Sequence, residues 1–579
     1  MKIPLPSLLL FLAAKTSMAA TYYVDCGSGS DAAAGTSADT AWRTTAKVSA
    51  RTFAPGDAVL VLRGTRCPGM LWPKGSGEPG RPIRIGSYGS GALPVIDGGH
   101  EQAALKLFNQ QGWEIENIDV TGGSPYGIYV GGDAGRLAHF RLRNARVHHV
   151  TGEVKEKASG LVVIQASGSA TIEDVVVDGV IAHHTTQWAG VLVQGASREN
   201  RARHVVIRNT IVHDVYGDGI VLFQVEDGTI ERSAAWLTGL QPTQTIGTPN
   251  GIWTWRCRRC TVQQTEGFFI DSPGVDAGVY DIDWGCDDNV VQHNYGHDAQ
   301  GYCASVFGAE KEVTTNSVVR YNVCVNNGRS PRLARRQGDF FIATWDGGAI
   351  DGLLAHNNTF YWNPPLDAPA VQMEQVDFTG ERPNRFFDNV VLSRVPALIH
   401  GSTGLRFEDN VYWHEGSEQP TWTYGDVERT SPVGGRLEHP RLDGLLRPPA
   451  AAPGGRNVGA LPSATGDPVP APQPGRWALK LFPSTSADQA RSVLVFLEAA
   501  LAQYGETALE ATIVGEADWP RERVRAAAGG PARPGVLLAL VSPAGQVVRE
   551  WRTLAHPADL GLTLRRVLGP PRGGPPVTP

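Results

Sequence analysis

Two carboxylates and two indoles occupy positions that neighbouring strands would turn to one face. They are Trp253 and Trp255 in Gly251-Ile252-Trp253-Thr254-Trp255, and Asp281 and Asp283 in Val279-Tyr280-Asp281-Ile282-Asp283. Side chains alternate along a strand, so Ile252, Thr254, Tyr280 and Ile282 point inward and the two Trp and two Asp point outward. Positions i and i+2 lie about 6.7 Å apart, and paired strands about 4.8 Å apart. Flat indole faces suit pyranose rings, and carboxylates at this spacing overlap the roughly 6.5–9.5 Å range of inverting glycoside hydrolysis. Asp281 and Asp283 are the catalytic candidates, joined by Glu266 one turn away and by His297 in the same coil. Trp253, Trp255 and the adjoining Arg256 are the candidate substrate-binding residues. Asp287 and Asp288 follow in that coil and are the candidate metal ligands, for Ca²⁺ through oxygen. Asp281 and Asp283 themselves have two alternative readings, a solvated polar ladder or a structural Ca²⁺ site. A register slip of one residue would turn all of these side chains to the opposite face.

Other reactive residue types have plainer expectations. The histidines at 148/149, 183/184, 213 and 297 recur at one turn and read as repeat-stabilising, with His297-Asp298 set apart by sharing a coil with the two aspartates. Asn144, Asn209, Asn294, Asn322, Asn357 and Asn389 read as a turn ladder, since Asn tolerates the bend between strands. A lyase would need a cationic base, for which Lys155, Lys157 and Lys311 are available in loops, none beside an Asp cluster in sequence. Seven cysteines are present; Cys26 and Cys67 share one N-terminal module and form the expected disulfide. Cys257-Arg-Arg-Cys260 has no second CxxC to complete a zinc site.

The elements that position these groups are short strands. Residues 101–415 hold β-branched and aromatic runs at intervals of roughly 23–33 residues, with no long amphipathic helix between them. Gly-led strands recur, as in Gly127-Ile128-Tyr129-Val130, Gly190-Val191-Leu192-Val193 and Gly219-Ile220-Val221-Leu222. Short strands at a near-constant period bury their inner faces only by stacking, which predicts a right-handed parallel β-helix of about twelve coils, mainly β in class. With 68 Gly, 40 Pro and 19% charged residues the composition excludes a coiled coil and a disordered polyelectrolyte. The net charge of −6 gives no basic field for nucleic acid, and no apolar run is long enough for a membrane span. Residues 1–20 read as a signal peptide, with Lys2, the apolar Ile3–Ala14 and the small residues Ser17-Met18-Ala19-Ala20, so the expected destination is extracellular or periplasmic.

The opening "YYVDCGSGSDAAAGTSADTAWRT", with "PGDAVLVLRGT" and "WPKGSGEPGRPIRIGSYGSG", resembles the N-terminal module of secreted right-handed β-helix proteins of the pectate-lyase-like superfamily. "NGIWTW" and "GVYDIDWGCDDNVVQHNYGHD" resemble a stretch of the same superfamily, and the likeness extends over about residues 21–460. It implies an N-terminal cap with first coils over 21–100 and the β-helix proper over 101–460. The four-Asp calcium arrangement of the β-helix pectate lyases has no counterpart that can be placed residue by residue. A Pro-rich linker follows at 461–475, then an α/β domain at 476–570 and a tail at 571–579. The domain's expected order, β-α-β-α-β-β-α, resembles a thioredoxin-like fold, with Pro483-Ser484-Thr485-Ser486 where that family carries its CxxC and Pro534 before the third strand. Such a domain lacks redox cysteines and is expected to bind a partner protein or ligand. Two functions follow: a secreted carbohydrate-active hydrolase or lyase holding an extracellular polysaccharide along the β-helix groove, or a non-enzymatic β-helix binding protein.

Overall fold

The computed structural model describes residues 18–243, 246–333, 338–362, 364, 366, 368–443, 445–448, 457–462, 470–482, 487–514, 519–527 and 535–571. The signal run, Pro483–Ser486 and Pro534 lie outside the described residues. Parallel strands stack into three long sheets of 14, 14 and 13 strands, each coil of chain giving one strand to each sheet. This is a parallel β-helix, somewhat longer than about twelve coils because cap strands such as Thr21–Val24 and Ala58–Leu62 join the first sheet. The lumen is one continuous apolar core, from Val24 and Trp42 in the cap to Tyr412 and Trp422 at the far end. A disulfide joins Cys26 to Cys67, with Cα atoms 5.2 Å apart, and a second joins Cys303 to Cys324. Cys257, Cys260 and Cys286 are free thiols in the lumen, and burial pushes the Cys257 and Cys286 thiols up.

The asparagines play two roles. Asn144, Asn209 and Asn357 occupy the left-handed bend, with φ of 49°, 51° and 53°. Asn294, Asn322, Asn358, Asn389 and Asn410 stand one residue past that bend and are fully buried. There the Nδ2 of the first four donates to the next rung's Oδ1 at 3.0–3.1 Å and to a strand carbonyl at 2.9–3.0 Å, and Asn410 ends the stack by donating to the Phe386 and Gly434 carbonyls. The single turn ladder expected from sequence is thus a set of bend residues and a separate internal amide stack.

The C-terminal domain is a five-stranded mixed sheet with helices Ala487–Tyr504 and Pro557–Leu568. The helix expected at Pro520–Ala528 does not form; Arg525–Ala527 is instead an edge strand paired with Leu509–Val514. Glu498, buried on the first helix, accepts the backbone N–H groups of Glu522, Arg523 and Val524, which holds that segment in a bend. The domain lies against the second sheet of the β-helix. Ile181, Ile211, Trp236, Phe268 and Phe269 share one apolar cluster with Val493, Leu494 and Phe496. Gly561 rests on the Tyr295 ring so closely that a Cβ there would overlap it.

Candidate active site

The pairing register is Ile252↔Tyr280, Trp253↔Asp281 and Thr254↔Ile282, so Asp281 stands beside the Trp253 indole on the outer face of the third sheet. Ile252, Thr254, Tyr280 and Ile282 fill the lumen side, where the Tyr280 hydroxyl donates to the carbonyls of Thr265 and Tyr295. The outward face is not solvated, however. Asp281 is 1% exposed, Asp283 5% and Trp253 3%. Connecting segments fold over this part of the sheet and bring in Lys157, Thr248, Asn250 and Asp276. Beneath them lies a cavity of about 230 Å³ whose remaining walls are Trp284, Phe307 and Trp345.

Hydrogen bonds orient the carboxylates. Asp281 Oδ1 accepts from Ser305 Oγ at 2.8 Å, and its Oδ2 from Asn250 Nδ2 at 3.3 Å. Asn250 Oδ1 is taken by the Gly278 N–H and the Tyr302 hydroxyl, which turns the Asn250 amide nitrogen toward Asp281. Asp283 Oδ1 accepts the Trp284 backbone N–H at 2.9 Å. Asp218 is fully buried, taking the Asn250 backbone N–H at 2.9 Å and the Trp188 indole N–H. Lys157 places its ammonium 5.2 Å from the Trp188 ring centre and 5.4 Å from that of Trp253. The Trp284 indole N–H is buried without a partner, a donor left for whatever enters the cavity.

Burial raises the proton affinity of the acids. Asp218 is pushed up to about 6 by burial, against the opposing pull of Lys157. Asp281 is raised by burial and then by the neighbouring charges of Asp283 and Asp276. Asp283 is raised by burial, with Asp276 and Asp218 adding to the rise and Lys157 opposing it. Several carboxyls crowded in a dry pocket cannot all ionise near neutrality, so some carry protons while others accept them. That is the arrangement general acid–base catalysis needs.

Some sequence-derived candidates fall elsewhere. Glu266 and His297 sit on the second sheet, bonded to each other at 3.2 Å, with Glu266 also taking the Gln503 amide of the C-terminal domain at 2.8 Å. They are buried in the domain interface and removed from the catalytic set. Asp287 and Asp288 accept from Thr315 Oγ1 and Asn316 Nδ2 in the next coil, and no third acid or histidine converges on them among the described residues. Trp255 and Arg256 do not line the cavity; Trp255 meets the edge of the wall residue Trp284, and Arg256 stacks on Trp255 at 4.3 Å and binds Glu310 and Glu312 at 2.7 and 2.8 Å. Lys157, distant from any Asp cluster in sequence, is beside one in space. Asp218, Asp276 and Asn250 escaped the sequence reading, although Asp218 and Asn250 each stand just before the glycine that opens a strand, a position the repeat itself marks.

The family model for the right-handed β-helix region matches residues 103–361. No curated protein matches the chain. Among solved structures, the chain is similar to the GH136 lacto-N-biosidase from Eubacterium ramulus, at 20% identity over 62% of this chain and 67% of that one, with a TM-score of 0.49. It is also similar to pectate lyase Pel9A, at 15% identity over 77% and 97% of the two chains with a TM-score of 0.37. An alginate lyase from Paenibacillus sp. str. FPU-7 shares 14% identity over 58% and 97%, with a TM-score of 0.32. The molecule is thus a right-handed parallel β-helix protein with a covered acidic and aromatic cavity on its third sheet. At these identities and scores, the chemistry is read from that cavity alone.

Proposed function

We propose that this chain is a secreted carbohydrate-active enzyme, a glycoside hydrolase that takes a neutral sugar unit of an extracellular polysaccharide into the cavity above Asp281 and Asp283. The observation that carries this reading is the burial of that pair, with Asp218 and Asp276, beside the Trp253 and Trp284 indoles. One carboxyl of the pair holds a proton for the departing glycosidic oxygen and the other, ionised, activates water. The covered cavity favours recognition of a chain end over the open groove expected from sequence. Lys157 supports a second reading, a lyase in which it serves as base for a uronate. A uronate carboxylate would add a further acid to a cavity that already crowds aspartates against one lysine, so hydrolysis is preferred. The paired cysteines and the N-terminal apolar run support export. The C-terminal domain we read as thioredoxin-like, without cysteine, serving to cover the second sheet. The test is a panel of neutral and uronate polysaccharides, scored for reducing ends and for the absorbance of unsaturated products. Reducing ends without unsaturation support hydrolysis; unsaturated product would replace it with the lyase, and neither product from any substrate would favour the non-enzymatic binding protein.

A further inference from the structure

Away from the cavity, on the outer face of the second sheet, three metal-ligating groups from two coils and the C-terminal domain meet. His183 and His213 are register partners on adjacent strands, and their rings stack 5.0 Å apart. The stack continues to His148 at 5.2 Å on one side and Trp236 at 4.8 Å on the other, which fixes both ring planes. Glu522 reaches down from the docked domain, with Oε1 3.0 Å from His183 Nε2 and Oε2 2.9 Å from His213 Nε2. The three ligand atoms lie within 4.8 Å of one another. Glu522 is held firmly, because Glu498 grips the backbone of its segment.

Two carboxylates face His213, so the cluster closes either with an imidazolium at His213 or with a bound cation between His213 Nε2 and Glu522. His213 Nδ1 faces Asp214 Oδ2 at 2.6 Å, and a carboxylate can only accept there, so Nδ1 carries the hydrogen. In the neutral ring Nε2 is then a lone pair facing another acceptor, Glu522. His183 Nε2 is buried and, despite its 3.0 Å approach to Glu522, has no hydrogen-bond geometry with it. Its Nδ1 is engaged by His184 Nδ1 at 2.7 Å. Histidine nitrogens converging on one carboxylate, with a carboxylate behind His213, form the donor set and outer-shell support of a zinc-type ion. Ligand atoms around tetrahedral zinc stand about 3.3 Å apart, given bonds of about 2.0 Å, and the two histidine–carboxylate separations here are 3.0 and 2.9 Å. Arg523 lies 3.5 Å from Glu522 Oε2 and is 32% exposed.

We propose that His183, His213 and Glu522 bind a divalent transition cation of the zinc type, with a fourth position open to water, and that the ion pins the C-terminal domain to the β-helix. The site is independent of the activity assigned to the cavity. The experiment uses the full chain, stripped with chelator, desalted and titrated with Zn²⁺ by calorimetry, and with Co²⁺ by visible absorption. One equivalent should bind, with the absorption of four-coordinate cobalt. Glu522→Ala and His183→Ala should each weaken zinc by about a hundredfold or more, and Asp214→Asn by about ten- to a hundredfold as loss of an outer-shell partner. His204→Ala, which removes an exposed histidine on the first sheet facing Asp227 instead, should leave zinc affinity unchanged. Chelator should lower the wild-type melting temperature and leave that of Glu522→Ala unmoved. Absence of stoichiometric binding at micromolar zinc overturns the proposal, as does wild-type affinity in folded Glu522→Ala; if that variant fails to fold, His183→Ala decides by the same criterion.

Discussion

Replacing Asn322 by alanine tests whether the internal amide stack holds the coils in register. The side chain is fully buried and takes part in four hydrogen bonds. Nδ2 donates to Val291 O at 2.9 Å and Asn358 Oδ1 at 3.0 Å, while Oδ1 accepts from Asn294 N at 3.1 Å and Asn294 Nδ2 at 3.0 Å. Asn358 Oδ1 keeps a donor, the Asn322 backbone N–H at 3.0 Å. Truncation therefore strands the Asn294 backbone N–H and one Asn294 amide hydrogen, both away from water, and leaves a void where the buried amide stood. At about 1–3 kcal/mol for each buried group left unpaired, the loss is roughly 3–5 kcal/mol once partial relaxation is allowed. Arg406→Ala is the control: that residue is exposed on the strand Leu405–Glu408 and should cost under about 0.5 kcal/mol. Denaturant midpoints of the two variants, with hydrogen exchange at the Asn294 amide, measure the difference. Equal midpoints, or unchanged protection of the Asn294 amide in Asn322→Ala, would refute the reasoning.

Three further outcomes follow from the same geometry. The raised proton affinity of Asp281 and Asp283 means that activity falls as pH rises through the pair's titration; Asp218→Asn removes a neighbouring negative charge and should move that fall to lower pH, whereas Lys157→Met removes a positive charge and should move it to higher pH, both read from pH–rate profiles. Cys257, Cys260 and Cys286 should resist a thiol reagent in the native protein and give three equivalents after unfolding without reductant. Gly561→Val should lift the final helix from Tyr295 and expose the domain junction, read as faster cleavage there in limited proteolysis with the β-helix fragment intact.

Strand alternation and Gly-led repeats made the solenoid and its inward and outward faces legible, because period-2 burial is a local property of the chain. The Trp253, Asp281 and Asp283 positions followed from it. What alternation could not convey was that this outward strip is roofed. The covering segments have no period, and Lys157 meets the aspartates only because its loop folds across three intervening strands. The two asparagine roles were merged because bend and stack positions are neighbours in sequence, as Asn357 and Asn358 show. Residues 520–527 carry good helix formers, yet Glu498 holds Glu522 to Val524 in a bend and the sheet edge takes Arg525–Ala527 as a strand, so tertiary contacts override propensity. Glu266 and His297 looked like neighbours of the catalytic pair because they share its coils. A coil visits three sheets, and theirs is the one the C-terminal domain covers.

The most direct test of the central claim is the turnover of Asp281→Asn and Asp283→Asn on the neutral polysaccharide that the wild type cleaves best. Both variants should keep the wild-type melting temperature closely, since Asn matches the shape of a buried protonated Asp. Each should lose on the order of a hundredfold or more in kcat, as loss of a general acid or base does. Full activity in both folded variants would contradict the account and leave the carboxylate cluster a structural feature of the covered sheet.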